Sequence, residues 1–171
     1  MSSVVFLPGI KENAGIFLQT QGWLILAESY LGHGDRAFEY YKESCPAYQN
    51  DIADIRVIEP YCYGQFTESN NSLNYGRSQV HWLTGTASTV MVGCVEGILG
   101  IRPDLNGLKL EPAIPSEWKK LTIEKVFRNS SLHITIKRGK DKGLILNNKK
   151  LDSNYIPQEL LQKENTIILT I

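Results

Sequence analysis

The run His81–Gly100, HWLTGTASTVMVGCVEGILG, decides the fold, because it is the last helix-like apolar stretch and the chain beyond it changes its pattern. Leu108-Lys109-Leu110, Leu121–Phe127 and Leu132–Ile136 each alternate apolar and polar residues, as strands with one buried face do. Asn129-Ser130-Ser131 reads as a turn between the last two. Gly143–Leu146 and Lys149–Leu151, joined by Asn147-Asn148, read as a hairpin, and Thr166–Ile171 as a closing strand. Upstream, Ile16, Trp23, Leu24, Ala27, Tyr30 and Leu31 recur near helical spacing and predict a helix over Ile16–Leu31, ended at Gly32-His33-Gly34. Asp35 is placed as the N-cap of a second helix, Arg36–Glu43, which Cys45-Pro46 stops. Helices first and strands afterwards give an α+β fold: a helical part packed on a small β-sandwich-like part, not an alternating βαβ sheet. The expected division is 1–104 for the helical part and 105–171 for the β domain.

A chain of 171 residues with 42% hydrophobic content can bury a sizeable core in one domain or two small ones. Its 18 Lys+Arg balance its 18 Asp+Glu, so no basic footprint points to nucleic acid. No apolar stretch free of polar residues reaches membrane-spanning length, and the opening MSSVVFLPGIKEN lacks the pattern of a secretory leader, so a cytoplasmic protein without membrane partners is expected. Cys45, Cys62 and Cys94 have no metal-ligand spacing and cannot all pair, which suits buried thiols in a reducing compartment. Glycine loops of the GxxxxGK or GxGxxG kind, zinc spacings and a nucleophile elbow are all missing, which leaves nucleotide, dinucleotide, metal and serine-hydrolase chemistry unsupported.

Within the expected third helix lies a polar knot, Thr84-Gly85-Thr86, whose glycine alone costs a helix about 1 kcal/mol. Hydroxyls and bare backbone suit an anion; small residues for close helix packing are the alternative. A second polar cluster, Lys11-Glu12-Asn13-Ala14-Gly15, precedes the first helix. There Glu12 is placed either to accept sugar hydroxyls, its charge favoured by the helix N-terminus, or to cap that helix. The long aromatic stretch 47–78 has the length of a functional loop, and its Glu59 and Gln65 set hydrogen-bonding groups beside flat apolar faces. That mixture suits sugars, an ordinary packed loop being the alternative. His33, His81 and His133 receive no catalytic role. Together the clusters suggest a sugar and phosphate site.

The strings KENAGIF (Lys11–Phe17), QGWLILAE (Gln21–Glu28), LGHGDRAFEYY (Leu31–Tyr41), IRVIEPYCYGQF (Ile55–Phe66), HWLTGTAST (His81–Thr89) and LEPAIPSEW (Leu110–Trp118) resemble, in this order, the C-terminal part of the glycoside phosphorylases of glycoside hydrolase family 94. That family includes cellobiose and chitobiose phosphorylases. The resemblance implies that the helices are the late ones of an (α/α)6 barrel. It also implies an inverting reaction in which inorganic phosphate, the co-substrate, splits a β-linked disaccharide into an α-sugar 1-phosphate and a free sugar, with no further cofactor. By the same resemblance Lys11, Glu12 and Gln65 stand at glycosyl-recognition positions and Thr84 with Gly85 at the phosphate position. Gln19 stands where the family has a phosphate-binding histidine, and its amide donates without carrying charge. The family's catalytic aspartate and phosphate-binding arginine lie upstream of the matching text, so no catalytic residue is assigned in this chain. The chain is accordingly expected to be a fragment, inactive alone, with apolar faces left for the missing barrel portion. A carbohydrate-binding remnant and a structural domain, supporting an assembly or a homodimer, are the alternatives.

Overall fold

The computed structural model describes residues 5–171; the first four residues of the opening MSSVVFLPGIKEN lie outside it. The helical half contains α1 (Gln19–Tyr30), α2 (Gly34–Ser44), a 3-10 segment (Pro46–Ile52) running into α3 (Ala53–Arg56), and α4 (Thr86–Val92), which continues as a π-helical segment (Gly93–Ile98). Three short strands, β1 (Ile16–Phe17), β2 (Phe66–Thr67) and β3 (Ser78–Gln79), form an antiparallel sheet in that order.

Three helix boundaries differ from the sequence expectation. Ile16 and Phe17 pair with Thr67 and Phe66 instead of opening α1, a long-range pairing that a β-branched and an aromatic residue favour. The His81–Gly100 run is helical only from Thr86, so the Thr84-Gly85-Thr86 knot is not inside a helix: Gly85 is its N-cap. The Thr84 hydroxyl accepts the Thr86 N–H at 3.1 Å, a local bond that competes with helix and sets its start. Asp35 is not the cap of α2, whose N-cap is His33. Its carboxylate instead accepts the Ser116 backbone N–H at 2.6 Å, and that bond holds its pKa below the usual value.

Helix α1 buries Gly22, Ile25 and Ser29. A methyl on Gly22 would stand 2.2 Å from the Thr89 carbonyl carbon, so the backbones of α1 and α4 touch. Ile25, Ala37, Val90 and Ile98 form the helical core, flanked by Phe38, Tyr41, Tyr63 and Cys94. Cys45 and Cys62 are buried, Cys94 is half-buried, and all three are free thiols, as expected; burial pushes the Cys94 thiol up to about 11.

The β half is a two-sheet sandwich. One sheet has β4 (Ile101–Asp104), β5 (Gly107–Leu110) and β10 (Tyr155–Pro157) in the order β10-β5-β4. The other has β6 (Lys120–Phe127), β7 (Ser130–Lys137), β8 (Gly143–Leu146), β9 (Lys149–Leu151) and β11 (Glu164–Thr170) in the order β6-β7-β11-β8-β9. Only β7 and β11 pair in parallel within it. Ile167 and Leu169 lie beside Ile134 and Ile136 in register. These residues share one core with Leu144 and Leu146 and with Ile101, Leu108, Leu110 and Ile156 of the first sheet. The expected turn at residues 129–131 is tighter than read: Ser130 and Ser131 belong to β7, and Arg128 takes a left-handed φ of 54°. Strands β4 and β10 were not expected from sequence. The halves meet where the Phe38 ring packs edge-on to Trp118 at 5.0 Å, where the Arg102 guanidinium covers Tyr30 at 4.0 Å, and where Val95 and Leu99 reach the sandwich core.

Glu68 follows β2 and is 1% exposed. Its carboxylate accepts the Gln79 side-chain N–H of β3 at 2.6 Å and the Ser72 hydroxyl. Its backbone N–H donates to Arg77 at 2.9 Å, and the neighbouring Ser69 N–H donates to Gly9 at 3.1 Å. Burial alone would raise its pKa, but the bonds from Ser72 and Gln79 and the nearby Arg77 charge outweigh it and hold the group below its ordinary 4.5.

Two stability predictions follow from this packing. Gly22→Ala, whose new methyl meets backbone rather than a movable side chain, lowers stability by about 1–3 kcal/mol in urea unfolding. Glu68→Ala, which leaves two donors without their acceptor, costs about 1–3 kcal/mol at neutral pH. Because the folded pKa of Glu68 lies below its unfolded value, its contribution is full above pH 4.5 and is lost as pH falls through the lower folded value. The difference in urea midpoint between wild type and Glu68→Ala should therefore shrink on acidification; a constant difference overturns the assignment.

Candidate functional site

The small sheet gathers the segments that carry every candidate residue. Lys11 and Glu12 lie on a loop before β1, closed by Gly9 N–H to Asn13 at 2.7 Å and Gly15 N–H to Lys11 at 2.8 Å. Lys11 holds a left-handed φ of 46° and its Nζ stands 5.3 Å over the Phe6 ring. Glu12 is exposed. It neither caps α1 nor sits at its N-terminus, because β1 intervenes and Leu18 is the N-cap, without a side-chain bond. Both helix-based readings of Glu12 therefore fail, and its carboxylate is left at the surface of a constrained loop.

Gln65 precedes β2. Its N–H donates to Gln79 at 2.9 Å and its carbonyl accepts the Leu18 N–H at 3.0 Å, so its backbone bridges β3 to the start of α1. Gln19, the first residue of α1, carries its side-chain Oε1 to 3.4 Å from the point where a methyl on Gly85 would stand. The Gln19 carbonyl accepts the Thr89 hydroxyl of α4 at 2.8 Å, which locks the two helix starts together. Thr84 Oγ1 shares a 2.8 Å hydrogen bond with Thr86 Oγ1, which in turn donates to the Gly64 carbonyl at 3.1 Å, beside Gln65.

Gln19, Gln65, Thr84 and Gly85 thus converge. The link from Lys11 and Glu12 to this group runs through the backbone, by the Gly9–Ser69 bond next to β2. A side chain at Gly85 would meet only the flexible end of Gln19, whereas Gly22 and Gly93 in the packed helices are pressed against backbone.

The group offers hydroxyl, amide and backbone donors without a positive charge among Gln19, Thr84 and Gly85. Neutral polar groups gathered at one place are of the kind that holds an oxyanion. Among the described residues no three His, Cys, Asp or Glu side chains cluster as a metal site, and no helix is long and apolar enough to cross a membrane. His33 Nδ1 lies 2.7 Å from Glu28, and His133 lies between Glu124 and Glu164 on the sandwich.

Sequence reasoning missed two contributors. Glu68 lies in the aromatic stretch 47–78, where no local pattern marks a buried carboxylate. Trp82 stands outside that stretch, and its indole N–H donates to Glu59 at 3.2 Å. The Glu59 carboxyl is held below its usual range by its own backbone N–H and then by that indole.

Comparison with known proteins gives the family of the chain. Residues 2–100 match the sequence profile of the glycosyl hydrolase 94 superfamily catalytic domain, and residues 101–142 match that of the glycosyl hydrolase family 65 C-terminal domain. The chain is 34% identical to the N,N'-diacetylchitobiose phosphorylase of Vibrio furnissii, over 94% of this chain and 21% of that protein. It is 32% identical to the enzyme of the same name from Vibrio proteolyticus, over 95% of this chain and 21% of that protein. It is 26% identical to the solabiose phosphorylase of Paenibacillus borealis, over 77% of this chain and 17% of that protein. The chain therefore spans about a fifth of the length of these relatives. With profile and relatives in agreement, the chain belongs to the glycosyl hydrolase 94 superfamily, among relatives that are glycoside phosphorylases.

Proposed function

We propose that this chain supplies the phosphate-holding and part of the sugar-holding surface of an inverting glycoside phosphorylase, which cleaves a β-linked disaccharide with phosphate to an α-sugar 1-phosphate and a free sugar. The observation that carries the reading is the juxtaposition of Gln19 with Gly85 and Thr84 at the paired starts of α1 and α4. Phosphate is anionic already and needs alignment more than deprotonation, so hydroxyl and amide donors fit its role as the attacking group. Glu12, exposed on its braced loop, and the Gln65 side chain accept and donate to sugar hydroxyls, and Lys11 adds a cation beside them.

The acid that protonates the leaving oxygen belongs, on this reading, to the portion of the enzyme corresponding to the rest of the relatives' length. The surface left by α1 and α4 supports that. Trp23, Leu24, Tyr30, Leu31, Met91 and Val92 are all exposed, apolar residues of the kind that a neighbouring helix covers. We assign this face to the remaining helices of an (α/α)6 barrel, the late helices of which would lie in residues 1–104, with 105–171 as the appended β domain. Phosphate is the only co-substrate in this scheme, and the reaction is placed in the cytoplasm.

The test is phosphate release from α-glucose 1-phosphate or α-N-acetylglucosamine 1-phosphate, with glucose or N-acetylglucosamine as acceptor. The chain is assayed alone and then mixed with the purified upstream portion of its enzyme. Activity on mixing, and silence alone, is expected. In the assembled enzyme Thr84→Val should raise the KM for phosphate about tenfold, the loss of roughly one hydrogen bond to a charged group. Glu12→Ala should instead lower kcat/KM for the disaccharide about a hundredfold, as lost charged contacts to hydroxyls do. If both variants leave phosphate and sugar dependence unchanged, the site is misassigned.

A further inference from the structure

Glu59, Tyr61 and Trp82 form a group that the proposed chemistry leaves unused. Tyr61 is 71% exposed and Trp82 66% exposed, yet neither ring is loose. They pack edge to face at 6.2 Å, and the Trp82 indole is tethered to Glu59 Oε1. The backbone is bent to present them: Val80 and Trp82 hold left-handed φ values of 53° and 69°, which β-branched and bulky residues adopt only under constraint. The second carboxylate oxygen, Glu59 Oε2, is shielded and has no hydrogen-bond partner from another of the described residues, although an ionised carboxylate ordinarily fills that capacity. All three residues stand on the two segments that carry Gln65 and Thr84.

We propose that Tyr61 and Trp82, with Glu59 at their base, form a further carbohydrate subsite that takes a neutral pyranose ring of the β-linked substrate. The proposal rests on the phosphorylase reading for its sugar class. Its chemistry is general. A pyranose has a flat face of C–H groups that lies against an aromatic ring and a rim of hydroxyl donors that suits a carboxylate. The negative charge of Glu59 and the lack of a Lys or Arg in the group disfavour phosphate there, which separates this subsite from the Thr84–Gly85 position. The bent backbone and the indole tether fix the rings before a ligand arrives, so little ordering cost remains at binding. The competing occupant is protein, the remaining part of the enzyme lying on the same rings.

The experiment uses the full chain, labelled with 15N, and follows the Trp82 indole N–H signal, identified by its loss in Trp82→Phe. N,N'-diacetylchitobiose and cellobiose are titrated in turn, with sorbitol and inorganic phosphate as controls. A saturable shift of the Trp82 signal with a disaccharide, but not with sorbitol or phosphate, is expected. Tyr61→Ala, a change at an exposed side chain that leaves the fold intact, should weaken the apparent Kd about tenfold. If the Gln65 signals respond to sugar and Trp82 does not, this subsite is overturned while the sugar reading of the main site stands. If neither responds, both fall. An equal response to sorbitol, an unchanged Kd in Tyr61→Ala, or a Trp82 signal that loses its sugar response once the upstream portion is added also overturns the proposal.

Discussion

The hydrogen bonds that converge on the buried carboxylate of Glu68 hold the rest of the site in place. Strands as short as β1, β2 and β3 do not sustain a sheet by their own ladder bonds. What holds β2 to β3 is the carboxylate reaching Gln79 across the pair, while its Ser72 bond folds the intervening tip back on itself. Ser69 then grips Gly9, and through it the loop of Lys11 and Glu12. A methyl on Gly9 would stand 2.5 Å from the Ser72 nitrogen, so that contact is backbone on backbone. The charge stays buried because four neighbours, Ser72, Gln79, Arg77 and Asn74, favour its ionised form.

A second constraint orients the other side of the site. Gly22 lets α1 lie directly on α4, and Gly93 repeats the close approach further along. With the axes so near, the Thr89 hydroxyl reaches the Gln19 carbonyl, and the first turns of both helices become one rigid unit. Gly85 lies outside this packed zone and faces the Gln19 side-chain oxygen. The glycines of these helices thus serve different ends: Gly22 and Gly93 remove side chains so that the helices can touch, and Gly85 leaves room in front of Gln19.

The pattern of the sequence made the fold's order legible, because helical and period-two spacing depend on burial that each segment decides for itself. Strands β5 to β9 and β11 fall where alternation puts them, and α1 and α2 where apolar spacing does. What stayed hidden depends on distant partners. Ile16-Phe17 reads as helix until Phe66-Thr67 is beside it, and Ile101–Asp104 reads as nothing until β5 pairs with it. The same holds in the site. Thr84, Gly85 and Gln19 were visible as residue types in a suggestive order, and the structure adds that Gln19 meets Gly85. Glu68 and the Glu59–Trp82 bond were not visible, since each joins residues whose relation no local spacing records.

The charge balance of the site also constrains how the proposed reaction is shared out. Thr84, Gly85 and Gln19 supply dipoles, which align an anion but give it little net stabilisation against water. Of the nearby cations, Lys11 rests over the Phe6 ring on the loop of Glu12, and Arg77 stands beside Glu68. Glu12, Glu59 and Glu68 make the surroundings acidic, and only Glu68 is buried and internally bonded. An acidic surround favours neutral hydroxylated ligands and penalises phosphate unless a cation is brought to it. On the proposed reading, this surface alone should thus hold sugar more strongly than phosphate, and phosphate retention would depend on positive charge supplied by the rest of that enzyme.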